Sequence, residues 1–177
     1  KIGIIESHES IQAYAREILL NAVRTAELQG WDVIHGIIDS LYLKKKDFLD
    51  SDVQKLGREI YYNTGMELSH EGNYRWIVFL PSIVDGNVPV PSHFYGVFED
   101  GELKCRGIEA RRKDVPNLIA EMQLKMIEAL APATTEEEFK SLFPKLFGIL
   151  KNHVKALPHA TADDLAVTRT LSKTEYA

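Results

Sequence analysis

Cysteine is nearly missing from this sequence: Cys105 stands alone, so no intrachain disulfide can staple the fold, and no Cys/His cluster has zinc spacing. Such usage fits a reducing, intracellular setting. Long apolar runs are missing too. None approaches the ~20 residues that a membrane span requires, and no secretory signal opens the chain. Internal repeats and low-complexity tracts are absent. There is no excess of positive charge either. The net charge of −5 argues against wholesale nucleic-acid binding, although DNA binding follows local charge rather than the total. A first residue of Lys rather than Met fits a fragment, a processed chain or an ordered core.

What remains is an ordinary globular composition. The chain has 177 residues, 45% of them hydrophobic, enough for one compact domain or two small ones. Its basic residues are clustered: Lys44, Lys45 and Lys46 form one group, and Arg106, Arg111, Arg112 and Lys113 a second. Others, including Lys151, Lys155, Arg169 and Lys173, are spread through the last third. Taken alone, such a cluster reads as a solvated face.

Apolar residues at three- and four-residue steps from Ile11 to Ala26 predict an amphipathic helix over 8–29, with Ser7 as a cap and Gly30 as a stop. A strand at 31–35, a turn at 36–39 and a returning strand at 40–44 follow, and then a helix over 52–63. Residues 66–80 are extended, with a kink at Gly72, and 85–91 read as a loop, where a domain boundary is expected. Glu99-Asp100-Gly101 joins a hairpin of 93–98 and 103–106. Asp114 is expected to cap a helix running to Leu130, with Pro116 in its first turn. Thr135 and Glu138 form a capping box for the next helix, which Pro144 should break. Residues 164–171 are expected to form a short strand. The isolated histidines show no metal spacing, Met122 and Met126 read as core, and Cys105 as an inert thiol.

The informative segment is His35-Gly36-Ile37-Ile38-Asp39-Ser40, a hairpin with an acid at its tip after a long helix. Two-metal phosphoryl transfer uses such tips, because carboxylates on a rigid turn can hold paired divalent ions. A single Asp in a turn is, by itself, ordinary turn chemistry.

Helix, hairpin and order resemble the third motif of B-family DNA polymerases, Tyr-Gly-Asp-Thr-Asp-Ser. Gly36, Asp39 and Ser40 match it, His35 stands for the Tyr, Ile37 for the first Asp and Ile38 for the Thr. The lead-in from Ile5 to Glu17 is similar to the helix before that motif. Arg106-Gly107-Ile108-Glu109, with Arg112 and Asp114, resembles the family's stretch at the palm–thumb junction, and 164–169 a thumb segment. The similarity covers nearly the whole chain.

The resemblance implies an α+β fold: a partial palm over 1–90, then junction and thumb over 91–177. It implies that Asp39 is the remnant of a metal site whose partner carboxylate lies in an earlier motif that this chain does not contain. Ile37 cannot ligate magnesium, which takes oxygen ligands. Glu67 keeps one position of a later acidic pair, while Ser69 replaces the other. Ser92 and Phe94 fall where a primer-contacting Lys-x-Tyr is usual, or Tyr95 after a one-residue shift. The pattern resembles an archaeal branch described as inactivated. Magnesium is expected only in a complete polymerase, and no cofactor for this chain alone. Arg106, Arg111, Arg112, Lys113, Arg169 and Lys173 are the expected phosphate contacts. Primer–template DNA is the expected partner, with the N-terminal polymerase region or replication and repair proteins; no membrane is involved, and the place is cytoplasmic and nucleoid-associated. Two other readings stay open. One is the C-terminal part of a working polymerase whose other motifs lie on another region or chain, and the other is a protein-interaction module.

Overall fold

The computed structural model describes residues 5–37 and 39–167. It is α+β, with antiparallel sheets, and falls into two compact units, Lys1–Glu71 and Gly72–Ala177. The division differs from the expected one at 90/91. Residues 82–88 connect two paired strands and 90/91 falls inside the second, so a boundary there would cut a hydrogen-bonded ladder.

The first unit is a helix, a hairpin and a second helix. Helix α1 (Ile5–Leu28) ends as its glycine dictates: Gly30 is left-handed at φ 76°, and Trp31 N donates back to Ala26 O at 3.0 Å. It begins before Ser7, which lies inside the helix rather than at its cap. Only its second half packs. Ala22, Thr25 and Ala26 are buried, whereas Ile11 and Tyr14 of the predicted stripe remain exposed. Strands β1 (Asp32–Ile37) and β2 (Ser40–Lys44) pair antiparallel, closing at Ile37↔Ser40. Helix α2 (Asp50–Thr64) starts with Asp52 Oδ2 accepting from Leu49 N and stops at Gly65, φ 72°. Trp31, Ala22, Ala26, Leu56 and Ile60 form the core, with Val33, Leu41 and Leu43 of the hairpin packed on it. One polar link crosses it: Asn63 Nδ2 donates to Thr25 Oγ1, which donates to Asn21 O.

The second unit is a three-stranded antiparallel sheet with helices. Its strands are β3 (Tyr74–Pro81), β4 (Pro89–Phe98) and β5 (Leu103–Arg106), in the order β3-β4-β5. Gly96 lies where a β-carbon would sit 2.8 Å from Trp76 O, so β3 and β4 can approach only with glycine there. Helix α3 (Asn117–Leu130) begins after Pro116, three residues later than Asp114, which is drawn instead into an ion pair with Arg112. Helices α4 (Glu136–Ser141) and α5 (Phe143–Ala156) are separated where Pro144 demands it. Thr135 Oγ1 accepts from Glu138 N as expected, but the Glu138 carboxylate turns to Thr134 N. The expected strand at 164–171 is not formed in its described part. Thr161 caps a short helix, α6 (Ala162–Leu165), and residues 168–171 lie outside the described ones. Buried side chains come from β4 (Phe94, Val97, Phe98), from Ile108 and from the C-terminal half of α3 (Ile127, Leu130).

Phe94 is fully enclosed and stacks obliquely on Phe79 at 5.6 Å. Its truncation to Ala should cost about 3–5 kcal/mol, read by urea unfolding through Trp76 fluorescence in a Trp31→Phe background. Ile83→Ser, at a fully exposed position, should change stability by less than about 0.5 kcal/mol. A Phe94→Ala cost as small as that of Ile83→Ser would contradict the assigned core.

Candidate nucleic-acid interface

The sequence-predicted residues fall on two places, one in each unit. In the first, the two-residue connection of β1 and β2 puts Asp39 at the exposed tip, with Ser40 Oγ donating to Asp39 Oδ1 at 3.2 Å. Ile37, at the motif position of the first Asp, is only 8% exposed. Its aliphatic side chain offers no ligand atom. The hairpin's other acid, Asp32, pairs with Lys44 at the opposite end, about 17 Å along the strand from Ile37. Among the described residues no cluster of three or more His, Cys, Asp or Glu side chains could hold a metal ion. The donor set at the tip therefore does not fit a pair of divalent ions, which need several oxygen ligands each. Glu67 and Ser69 are exposed in the irregular segment before β3.

The second place is the segment after β5. Gly107 is left-handed at φ 68°, and a β-carbon there would lie 2.2 Å from Ser92 O. Only glycine lets the chain turn so tightly against β4. The turn sends Ile108 into the core and starts a 3-10 turn, Glu109–Arg111. Gln123 of α3 braces that turn with both ends of its amide. Its Oε1 accepts from Ala110 N at 2.6 Å, and its Nε2 donates to Glu109 Oε2 at 2.7 Å. The Gln123 hydrogen bond, helped by Arg112 and His93, holds the Glu109 carboxyl below its usual range. Arg75 ties the sheet to the end of α3, its guanidinium donating to Ala131 O and Glu99 O at 3.1 Å each.

Arg106, Arg111, Arg112 and Lys113 thus project, all exposed, from one braced segment. They are not equivalent. Arg112 makes a two-pronged pair with Asp114 (2.9 and 2.7 Å), and those hydrogen bonds raise its already high pKa. Among the described residues neither Arg106 nor Arg111 has a carboxylate partner in an ion pair, so their guanidinium groups are open to an external anion. Arg169 and Lys173 lie outside the described residues. At the Lys-x-Tyr position, Phe94 is fully buried and cannot reach a ligand, while Ser92 is exposed and hydrogen-bonded to His93 Nδ1. Tyr95 is half-buried against Trp76, and burial raises its pKa. Burial likewise pushes the Cys105 thiol up, against the opposing pull of Arg111, so it stays a thiol. Sequence reasoning missed Gln123 and Arg75. A polar residue on the apolar face of a predicted helix was the available signal for Gln123.

Gly107→Ala should lose at least about 2 kcal/mol, from the left-handed backbone and the clash combined; retention of wild-type stability would contradict the close approach to Ser92. Gln123→Ala should bring the Glu109 carboxyl up toward the ordinary range, followed by carboxyl-carbon NMR. A depressed carboxyl stabilises the fold above its unfolded pKa and loses that contribution as pH falls through its folded value. Acid loss of stability should therefore begin at higher pH in the variant. An unmoved Glu109 titration would show that Gln123 is not the brace.

No protein-family model matches the sequence. Relatives are nonetheless clear. The chain is 31% identical to DNA polymerase 2 of Saccharolobus solfataricus over 140 residues, 79% of this chain and 21% of that protein. It is 25% identical to the DNA polymerase of Archaeoglobus fulgidus over 134 residues, 76% of this chain and 16% of that protein. Its fold matches the solved family B DNA polymerase of Pyrobaculum calidifontis with a TM-score of 0.60 at 26% identity, covering 93% of this chain and 19% of that one. The chain spans about a fifth of the length of these proteins. In sequence and in fold the chain is similar to one part, about a fifth, of archaeal family B DNA polymerases.

Proposed function

We propose that this chain is a polymerase-derived module that grips primer–template DNA and does not itself catalyse nucleotide transfer. The carrying observation is Ile37, a buried aliphatic residue in the hairpin that leaves Asp39 as the one acid of the motif. One carboxylate cannot assemble the metal pair that activates an attacking oxygen and stabilises a leaving one. Magnesium then has a place only in a complete polymerase that supplies further carboxylates. The two units correspond, on this reading, to part of a palm and to a junction with a thumb. Arg106, Arg111 and Lys113 offer charge to backbone phosphates. Arg112 contributes less, because Asp114 already neutralises it. Arg169 and Lys173 add charge further along the chain. Such contacts position DNA without reading its sequence. The partners on this reading are primer–template duplex, the remaining polymerase region and replication or repair proteins, in an intracellular, nucleoid-associated place.

A second reading keeps the chain as the C-terminal part of a working polymerase. Its support is Asp39 itself, retained and exposed at the tip where a carboxylate from another region could meet it. Primer extension by the purified chain separates the two. No template-directed incorporation is expected, with or without Asp39→Ala. Incorporation that disappears on Asp39→Ala would overturn the non-catalytic reading. Crystals soaked in manganese should likewise show no pair of metal peaks within coordination distance of Asp39.

DNA binding is expected to be weak, salt-sensitive and indifferent to sequence. Each lost phosphate contact should flatten the slope of log affinity against log salt by about 0.9 on B-form duplex. Replacing Arg106 and Arg111 by Ala should therefore flatten it by about 1.8, and Arg112→Ala by clearly less. Anisotropy with unrelated duplexes across a salt series reads this directly. Unchanged slopes in the Arg106/Arg111 variant would reduce the segment to a solvated face.

A further inference from the structure

The proposed DNA grip makes no use of α5, which carries an apolar seam facing solvent. Phe143, Phe147, Leu150 and Val154 are spaced by four, three and four residues, and Leu157 continues the series in the following turn. All five are between 37% and 69% exposed. At 3.6 residues per turn they fall within an arc of ~80°. Leu146, Ile149 and His153 lie on the adjacent side and are half-buried, where α5 packs on α3. The seam is thus a second apolar face, separate from the one that holds the helix in the fold. Isolated exposed apolar residues need no explanation, but a continuous row at helical spacing marks a contact surface.

The seam opens into a cavity. At its N-terminal end Phe143 lines a hollow of about 380 Å³ with Trp76, Val78 and Phe139, and the Glu136–Lys140 ion pair stands at its edge. Phe139 meets both Trp76 and Phe143 edge-on, at 5.1 and 5.9 Å, which gives the hollow rigid aromatic walls. A bulky apolar side chain fits such a hollow, and a row of smaller ones fits the seam.

Charge selects the occupant. From Ser141 to Thr161 the chain holds Lys145, Lys151 and Lys155 and no carboxylate. By helical geometry Lys151 and Lys155 flank the seam on the side away from α3. A second copy would offer Lys151 and Lys155 no open carboxylate, because residues 141–161 hold none and Glu136 at the hollow is already paired with Lys140. The alternating four–three spacing suits a helix, whose own side chains interdigitate at that period. We propose that the α5 seam and its cavity form a docking groove for an amphipathic helix of a partner protein. That helix is about four turns long, presents a bulky apolar anchor toward Phe143 and carries Glu or Asp toward Lys151 and Lys155.

The test uses the 177-residue chain and two labelled peptides of about 16 residues, the span of the seam at 1.5 Å per residue. Both have Leu at the four–three positions; one has Glu beside them and the other Lys. Anisotropy should show the acidic peptide binding at least about tenfold tighter. Lys151→Glu with Lys155→Glu should reverse that preference, and Phe147→Ser with Val154→Ser should abolish binding. These side chains are exposed, so thermal unfolding should be unaffected. The charge-reversed pair gives a second readout should the serine variant fail to fold. Equal binding of both peptides, no binding of either, or unaltered binding by the serine variant would overturn the proposal. Two further results would also overturn it by assigning the face elsewhere. One is a dimer in sedimentation that Phe147→Ser dissolves. The other is co-sedimentation with vesicles of equal phosphatidylcholine and phosphatidylserine that the same change removes.

Discussion

The second unit is organised by the tightness of one turn. At Gly107 the backbone passes so close to Ser92 that no side chain fits, and it does so in a left-handed conformation that other residues resist. Three things follow within the next few residues. Ile108 enters the core, Glu109 meets the Gln123 amide, and the arginines after it are thrown to the surface from a rigid base. An exposed arginine on a mobile loop loses side-chain and backbone entropy when it binds a phosphate. One projecting from a braced 3-10 turn has already lost the backbone part. Position, more than charge count, makes this segment a candidate grip on a chain whose net charge is −5.

The hairpin of the first unit is the opposite case, a rigid frame with a single carboxylate, Asp39, at its tip. Its register, closing at Ile37↔Ser40, would hold an acidic pair in a fixed geometry. The frame persists because the core holds it from behind, through Val33, Leu41 and Leu43 packed on the cluster of Ala22, Ala26, Trp31, Leu56 and Ile60. None of those contacts needs a carboxylate at the tip. An aliphatic residue at position 37 is therefore compatible with the fold, and the buried Ile37 adds apolar burial there. The frame is thus separable in energy from any metal chemistry at its tip, which is what the proposed non-catalytic role requires.

The sequence revealed the elements whose signals are local. Gly30 ends α1 and Pro144 divides α4 from α5, because the backbone chemistry of those residues acts on their immediate neighbours. The hairpin, its Asp39 tip and the Arg106–Gly107–Ile108–Glu109 stretch were legible for the same reason, aided by family resemblance. What depends on distant partners was not. Asp114 has the chemistry of a helix cap, yet Arg112 competes for it and wins with two hydrogen bonds. The unit boundary differs because β3 seeks β4 across residues 82–88, a pairing that loop composition cannot disclose. Phe94 and Tyr95 differ by one position in sequence and by opposite faces in the sheet, which settled which of the two is enclosed. The seam on α5 was not legible either, since periodicity alone does not say which of two apolar faces meets α3.

The central claim is DNA gripping without a metal site. Its most direct test is the affinity for a primer–template duplex measured in magnesium and in EDTA at matched ionic strength, with the parent chain and Asp39→Ala. Gripping through cationic side chains without a metal predicts measurable binding that is equal in both buffers and unchanged by Asp39→Ala. Absence of binding, or binding that requires magnesium and is lost on Asp39→Ala, would contradict the account.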